Sequence, residues 1–373
     1  MRSRRPCSNP LLGTEDVSGA STLEAHEDTA VTQGVASGPA VRSLGLLLAL
    51  VLLAACVAMS LAVGTRSVPP GEVMSAVVDA LRGRSAGGEV QEIVLGLRLP
   101  RTLVGLFVGA ALGVSGALIQ ALTRNPLADP GILGVNAGAG FLVTLGIGLF
   151  GVVDVQGYVW FALAGAGAAT LVVFTVGTVG RAGATPVRLM LVGVAVGALL
   201  GGISSMIGLL TPGVFDGMRF WGAGTLASRD EHVLWTTAPL IVAGLVLAGL
   251  VARSLNAVAL GDELARSLGV RVVRTRIVVI IAVTLLAGAA TAAAGPIGFI
   301  GLMVPHVVRW FTGPDQRWIF AYTVVCAPIL LLAADVLGRV VVWPQEMQAG
   351  IITAFVGAPV LVMLARRRKL TGL

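Results

Sequence analysis

The sequence has little charge, few aromatic residues and only three cysteines. Charged residues make up 12% of its 373 residues and hydrophobic residues 56%, which is too little polar surface to cover a soluble globule of this size. Cys7, Cys56 and Cys326 lie far apart, so neither a disulfide framework nor a cysteine metal cluster is indicated. Aromatic residues make up 5%, and the arginines are scattered between apolar runs. The net charge of +7 therefore indicates membrane topology rather than a nucleic-acid partner, and we expect a lipid bilayer around the chain.

The sequence also lacks the patterns of catalysis and of ion coupling. No GxxxxGK[ST] motif occurs, so the chain is not expected to hydrolyse ATP or to be an enzyme. His26, His232 and His306 have no second ligand at metal spacing. Asp129 and Asp335 lie at the ends of apolar runs, where we expect them to be solvated or to cap a helix. A stand-alone proton-coupled carrier thus has little support.

Two regions differ in composition. Residues 1–42 are polar and are expected to form a disordered cytoplasmic tail, whereas 43–373 form one transmembrane domain. Leu53 to Cys56 resembles a lipoprotein cleavage site, but the apolar run continues beyond it, which favours an uncleaved first span. We predict about ten transmembrane helices, from apolar runs at 44–63, 103–122, 131–153, 157–180, 189–210, 233–252, 277–294, 297–311, 318–334 and 347–364.

The last three runs contain Pro305, Pro328 and Pro359. Each proline frees a backbone carbonyl that lipid cannot satisfy, so these helices must be shielded by neighbours. Glycines spaced four residues apart predict close helix packing, at Gly109/Gly113, Gly134/Gly138 and Gly193/Gly197/Gly201.

The distribution of Lys and Arg predicts the orientation. With a cytoplasmic N-terminus and ten spans, the cytoplasmic loops and C-terminus after the first span hold fourteen basic and four acidic residues, and the external loops hold eight arginines and ten acids. Because cytoplasmic loops of membrane proteins are enriched in Lys and Arg, both termini are predicted to be cytoplasmic.

Three polar or broken segments interrupt the apolar pattern. The first is a polar turn at Asn125 to Leu127 between two spans, suited to a narrow constriction. The second, about 256–274, can form a short amphipathic helix at 260–268, which would fit a groove on a partner. In the third, 295–306, glycines and prolines predict either a site beside a transport path or a tight helix reversal.

These segments carry a family resemblance. The sequences RLPRTLVGLFVGAALGVSGALIQALTRNPLADPGILGVNAGAG at 98–140, ALGDELARSLGV at 259–270, GPIGFIGLMVPHVVRW at 295–310 and GAPVLVMLARR at 357–367 resemble the FecCD family. Its members are permease subunits of ABC importers for iron-siderophores, haem and vitamin B12. The resemblance implies an all-α, type II (BtuC-like) permease fold. It also implies a homodimer or a heterodimer with a homologous permease, two cytoplasmic ABC ATPase subunits and an extracytoplasmic substrate-binding protein. No cofactor is expected on this chain, because ATP is used by the ATPases.

The resemblance also implies roles for particular residues. Asn125 and Leu127 match positions of the cytoplasmic gate, and Arg98, Arg101 and Arg339 match arginines that would meet acidic residues of the binding protein. Coupling to the ATPase would be carried by the helix that contains Leu260, Gly261, Asp262, Glu263, Ala265, Arg266, Leu268 and Gly269. A second gate element of the family aligns with Pro186 and Val187, which leaves Thr185 as the one candidate there.

The sequence thus predicts the membrane-spanning half of an ATP-driven importer of an iron(III)-siderophore. Import of haem or a cobalamin by the same machinery is the first alternative. The alternatives from other classes are a proton-coupled secondary transporter working alone and a structural membrane anchor.

Overall fold

The computed structural model describes residues 38–64, 66, 68–83, 88–179, 185–227, 229 and 231–366. Within these ranges the chain is helical and has no strand. A π-helical segment, Glu92–Arg98, precedes α4, and a 3-10 helix, Pro130–Leu133, precedes α5. The α-helices are α1 (Pro39–Ala62), α2 (Pro70–Leu81), α3 (Glu89–Gln91), α4 (Leu99–Thr123), α5 (Val135–Phe150), α6 (Val155–Thr178), α7 (Pro186–Leu210), α8 (Pro212–Gly222), α9 (Glu231–Ala259), α10 (Asp262–Ser267), α11 (Val272–Ala294), α12 (Ile300–Thr312), α13 (Gln316–Val341) and α14 (Ala349–Arg366).

Every predicted span overlaps one of these helices. Seven of the described helices are long and apolar enough to cross a membrane, and α5, α12 and α14 are shorter. Helix α1 begins at Pro39, inside the predicted tail, because a proline is favoured in the first helical turn, where its missing N–H costs nothing. The Ser43 hydroxyl also donates to the Pro39 carbonyl. Residues 1–37 of that tail lie outside the described residues.

Helix α4 lies at the centre of the bundle and packs against α9, α11, α12 and α13. Its close approach to neighbours depends on glycine: a Cβ on Gly109 would lie 2.6 Å from the Pro328 Cα, and one on Gly116 would overlap the Gly301 carbonyl. The packing prediction is therefore confirmed for Gly109. For Gly201 it stays a prediction, because a Cβ added there has nothing within 4 Å inside this chain, where α7 is mostly unburied.

The kink proline of α12 is compensated by α4. Pro305 has no N–H to donate to the Gly301 carbonyl one turn earlier. The Gln120 side chain, fully buried on α4, donates instead from Nε2 to the Gly301 carbonyl at 3.1 Å and to the Leu302 carbonyl at 3.0 Å. The shielding predicted for the proline-containing span is therefore confirmed at Pro305.

Three helical elements were not predicted: α2, the α3 and π-helical segment, and α8. They are too short or too polar to register as spans. Helix α8 packs against α5, with Val214 near Gly148 and Ile147 near Gly217.

The segment 295–299 forms a tight reversal between α11 and α12. Gly295 and Phe299 both have positive φ, of 76° and 68°. The amide of Thr225 donates to the Ala294 carbonyl at 2.7 Å, which satisfies the end of α11. The tight-reversal interpretation is confirmed, and the position beside a transport path stays a prediction.

Candidate coupling and gate site

The amphipathic helix predicted at 260–268 is present as α10, Asp262–Ser267. Gly261 and Gly269 flank it with φ of 121° and 79°, conformations that favour glycine, as the sequence predicted. Ala265 is completely buried against Val258 and Val272, at the adjoining ends of α9 and α11. This small apolar cluster anchors the helix to two spans.

The other face of α10 is uncovered in this chain. Leu260, Leu264 and Leu268 are 64%, 48% and 60% exposed. Glu263 and Arg266 are also exposed. An exposed row of leucines with flanking charges at a helix surface is typical of an interaction site rather than of a solvated loop.

The turn after α4 is locked by its own hydrogen bonds. The Asn125 Oδ1 accepts a hydrogen bond from the Leu127 amide at 3.0 Å, and the Asn125 carbonyl accepts one from the Ala128 amide at 3.1 Å. An asparagine side chain that bonds the backbone two residues on is a common turn-forming device. Asn125 is half-buried and Leu127 is 40% exposed, so this turn presents an apolar side chain at the protein surface.

The chain continues from this turn into the bundle. Asp129 accepts a hydrogen bond from the Gly131 amide at 2.8 Å, which confirms the capping role predicted for it. Burial raises the pKa of the Asp129 carboxyl, and the Gly131 amide partly offsets that shift. The Ile132 carbonyl then packs against Gly193 of α7, where a Cβ would overlap it.

Arg124 joins this turn to α10. Its Nε and Nη2 donate to the Val258 carbonyl at 3.0 and 2.7 Å, and Nη2 also donates to the Asp262 Oδ1 at 2.8 Å. The other carboxylate oxygen of Asp262 accepts from Arg276 at 2.6 Å. In the sequence, Arg124 is distinguished only as one of the fourteen basic residues on the predicted cytoplasmic side. The signal available in the sequence for its linking role was its position: a long cationic side chain directly after a predicted helix and before Asn125.

The three arginines predicted to dock a binding protein lie at the opposite end of α4. Arg101 donates from Nε and Nη2 to Asp335 at 2.8 to 3.2 Å and from Nη1 to Glu346 at 2.7 Å. Arg339 pairs with the same Asp335 and donates to the Ser60 and Val63 carbonyls. The third arginine, Arg98, donates to the carbonyls of Leu61, Ala62 and Arg66.

One sequence expectation is corrected here and another stays open. Arg98 and Arg339 are 6% and 2% exposed in this chain, and their guanidinium groups hold the end of α1 to the π-helical segment and to α13. A docking role for these two arginines and for Arg101 stays a prediction. Asp335 was expected to be solvated or to cap a helix, yet it is 1% exposed and bonded to two arginines. His306 is also buried, with its ring centroid 5.3 Å from that of Trp310.

Thr185, the candidate for the second gate element, caps α7. Its hydroxyl accepts a hydrogen bond from the Arg188 amide at 3.4 Å. Pro186 occupies the first helical turn. These contacts explain Thr185 and Pro186 as the residues that begin α7. A gate role for Thr185 stays a prediction.

Together the spans, the locked turn and the surface helix define a polytopic helical membrane protein of the permease class. The model of the FecCD transport family matches residues 22–367, and the chain belongs to this family. The match begins inside the predicted tail, so part of that tail has a family counterpart. The chain is accordingly a multi-pass inner membrane protein.

The alignments with individual relatives cover most of both chains. The chain is 48% identical over 329 residues to the ferric enterobactin transport system permease protein FepD of Escherichia coli (strain K12), covering 88% of this chain and 96% of the relative. It is 40% identical over 281 residues to the Fe(3+)-citrate import system permease protein YfmD of Bacillus subtilis (strain 168), covering 75% and 83%. An inward-facing solved structure of an ABC transporter assigned to the metal-chelate type matches with a TM-score of 0.75 at 25% identity, covering 87% and 99%.

Proposed function

We propose that this chain is the transmembrane permease subunit of an ATP-driven ABC importer for an iron(III)-siderophore. The observation that carries the proposal is the 48% identity, over nearly the whole length of both chains, to a ferric enterobactin permease. The exposed leucine face of α10 supports the mechanism, since it offers a surface on which a cytoplasmic ATPase can dock. The chain then supplies the path and binds no cofactor, and the partner ATPases hydrolyse ATP.

The proposed complex contains two permease chains, two ATPase subunits and an extracytoplasmic binding protein. Both termini lie in the cytoplasm, as the excess of basic residues in the cytoplasmic loops favours. Asn125 and Leu127 line the cytoplasmic gate, and α10 transmits ATPase movement to the permease. Alternation between the two open states would be a rigid-body tilting of helix bundles.

Uptake into proteoliposomes tests the proposal. The complete transporter, with its ATPases inside and its binding protein outside, is supplied with a siderophore loaded with radioactive iron. We expect uptake that requires internal ATP and the binding protein and that excess haem or cobalamin does not inhibit. Competition by haem or cobalamin would instead identify the cargo as that compound.

Two controls separate the other classes. Vesicles that contain this chain alone, under a proton gradient, are expected to take up nothing; uptake there would identify a secondary carrier. Asn125→Trp places a bulky ring at the gate and is expected to abolish uptake. Normal uptake by this variant would favour a structural anchor.

A further inference from the structure

We propose that Arg124 is the positioning residue through which α10 moves the Asn125 to Leu127 turn. The inference rests on the proposed function and deepens it, because it names the contact that connects the ATPase-facing helix to the gate. Arg124 is the residue immediately before the turn, and its side chain ends on the α9 to α10 corner.

The α10 side of the link is a rigid unit. The buried Ala265 anchors α10 between Val258 and Val272, and the Val270 amide donates to the Ala265 carbonyl at 2.9 Å. The two acceptors of Arg124, the Val258 carbonyl and the Asp262 carboxylate, both belong to this unit. A displacement of α10 therefore displaces both acceptors together.

The gate side of the link is equally well defined. Arg124 is the C-terminal cap of α4, directly after Thr123, and the Asn125 amide donates back to the Gln120 carbonyl at 3.2 Å. The side-chain bond of Asn125 to the Leu127 amide fixes the residues that follow. These hydrogen bonds hold Arg124, Asn125 and Leu127 in fixed relative positions. A displacement of the Arg124 side chain therefore displaces the exposed Leu127 side chain.

The backbone of Arg124 indicates that its side chain is needed at this position. Its φ is 51°, and among the described residues only Arg124 and Phe299 combine a positive φ with a side chain. Glycine is the usual residue in this left-handed position after a helix, and a larger residue is held there at an energetic cost. The three hydrogen bonds of the guanidinium group to Val258 and Asp262 offset that cost.

An ordinary surface ion pair would not have this geometry. The Arg124 and Asp262 side chains are 38% and 27% exposed, so the ion pair alone would be weak, but the same guanidinium group also donates twice to the Val258 carbonyl, which fixes its position. Arg276 holds the second oxygen of Asp262, which fixes the carboxylate on the α10 side while Arg124 reaches it from the turn. One carboxylate, that of Asp262, thus binds two arginines: Arg276, which fixes its position, and Arg124, which links it to the turn.

The test uses a reporter at the gate of the complete transporter in proteoliposomes. Cys7, Cys56 and Cys326 are replaced by serine, and Leu127→Cys supplies a single thiol. The rate of its modification by a maleimide is measured without nucleotide and in the ATP-vanadate trapped state. Uptake per ATP hydrolysed is measured in the same preparation.

The key variant is Arg124→Gly, because glycine retains the left-handed backbone and removes only the link. We expect the nucleotide-dependent change in labelling rate, and the uptake per ATP, to fall by about tenfold, while ATP hydrolysis continues. Arg124→Lys should recover part of the loss. Arg276→Gln leaves the Arg124 to Asp262 bond in place and should cause a smaller loss. Arg253→Gln, an exposed arginine on the same end of α9, is the matched control and should behave like the parent.

Two outcomes would overturn the inference. The first is an Arg124→Gly transporter with the parent's labelling change and uptake per ATP. The second is an Arg124→Gly chain that no longer copurifies with its ATPases, since Arg124 would then serve only to fold α10. Failure of the proposed function is distinguishable from both, because the parent itself would then show no effect of nucleotide on labelling.

Discussion

Replacing Asp335 should cost more stability than replacing any other acid at its end of the bundle. The carboxylate is 1% exposed and accepts three hydrogen bonds from Arg101 and one from Arg339. Asp335→Asn preserves the size of the side chain but leaves the buried Arg339 and the largely buried Arg101 with only their other partners. Removing one member of a buried ion pair costs about 3 to 5 kcal/mol, and we expect a value near the lower end because Arg101 retains Glu346 and Arg339 retains two carbonyls.

The matched control is Glu346→Gln. Glu346 bonds the same Arg101 but is 28% exposed and accepts one hydrogen bond from the side chains that the structure describes, so its loss should cost about 1 kcal/mol or less. Unfolding is followed by tryptophan fluorescence during titration of SDS into dodecylmaltoside micelles. Equal free energies of unfolding for the two variants would refute the reasoning that burial makes this network costly to break.

Three further predictions concern the packing and the turn. Gly116→Ala should separate α4 from α12, because the added carbon meets the Gly301 carbonyl, and lower the thermal stability of the purified protein; Gly201→Ala, with open space around it, should not. Asn125→Ala should lose the side-chain bond to the Leu127 amide and raise the rate of proteolysis at the turn, whereas Asn125→Asp should not. Asp129→Ala should cost about 1 kcal/mol as a lost cap, measured by SDS unfolding, and Asp129→Asn a smaller amount, so an equal loss in both variants would contradict the capping role.

The length of the apolar runs predicted the spans, and the glycines at its two ends helped to predict α10. The runs are long because the bilayer requires it, and Gly261 and Gly269 mark the ends of α10 since their backbone angles favour glycine. Such signals are local, so one sequence suffices to detect them. The short helices α2 and α8 were missed because neither length nor composition distinguishes them from loops.

The roles of the charged residues could not be predicted in the same way. The expectation of an external docking surface for Arg98 and Arg339 came from the family resemblance, whereas their burial depends on which faces of α1, α4 and α13 meet. Asp335 is separated by 234 residues from Arg101, so no local pattern could pair them. The same holds for Arg124 and Asp262, which are 138 residues apart.

The hydrogen bonds from Gln120 to α12 constrain how the bundle deforms. The backbone carbonyls of an α-helix normally accept hydrogen bonds from the same helix. Such a helix can slide along its neighbour while only side-chain contacts change. Here the first turn of α12 takes its missing donor from α4, and Gly116 brings the two backbones into contact at the same level. Shear between these two helices would strand a carbonyl in the dry interior, so they travel as a single piece, and any relative displacement during the cycle must occur at other helix boundaries.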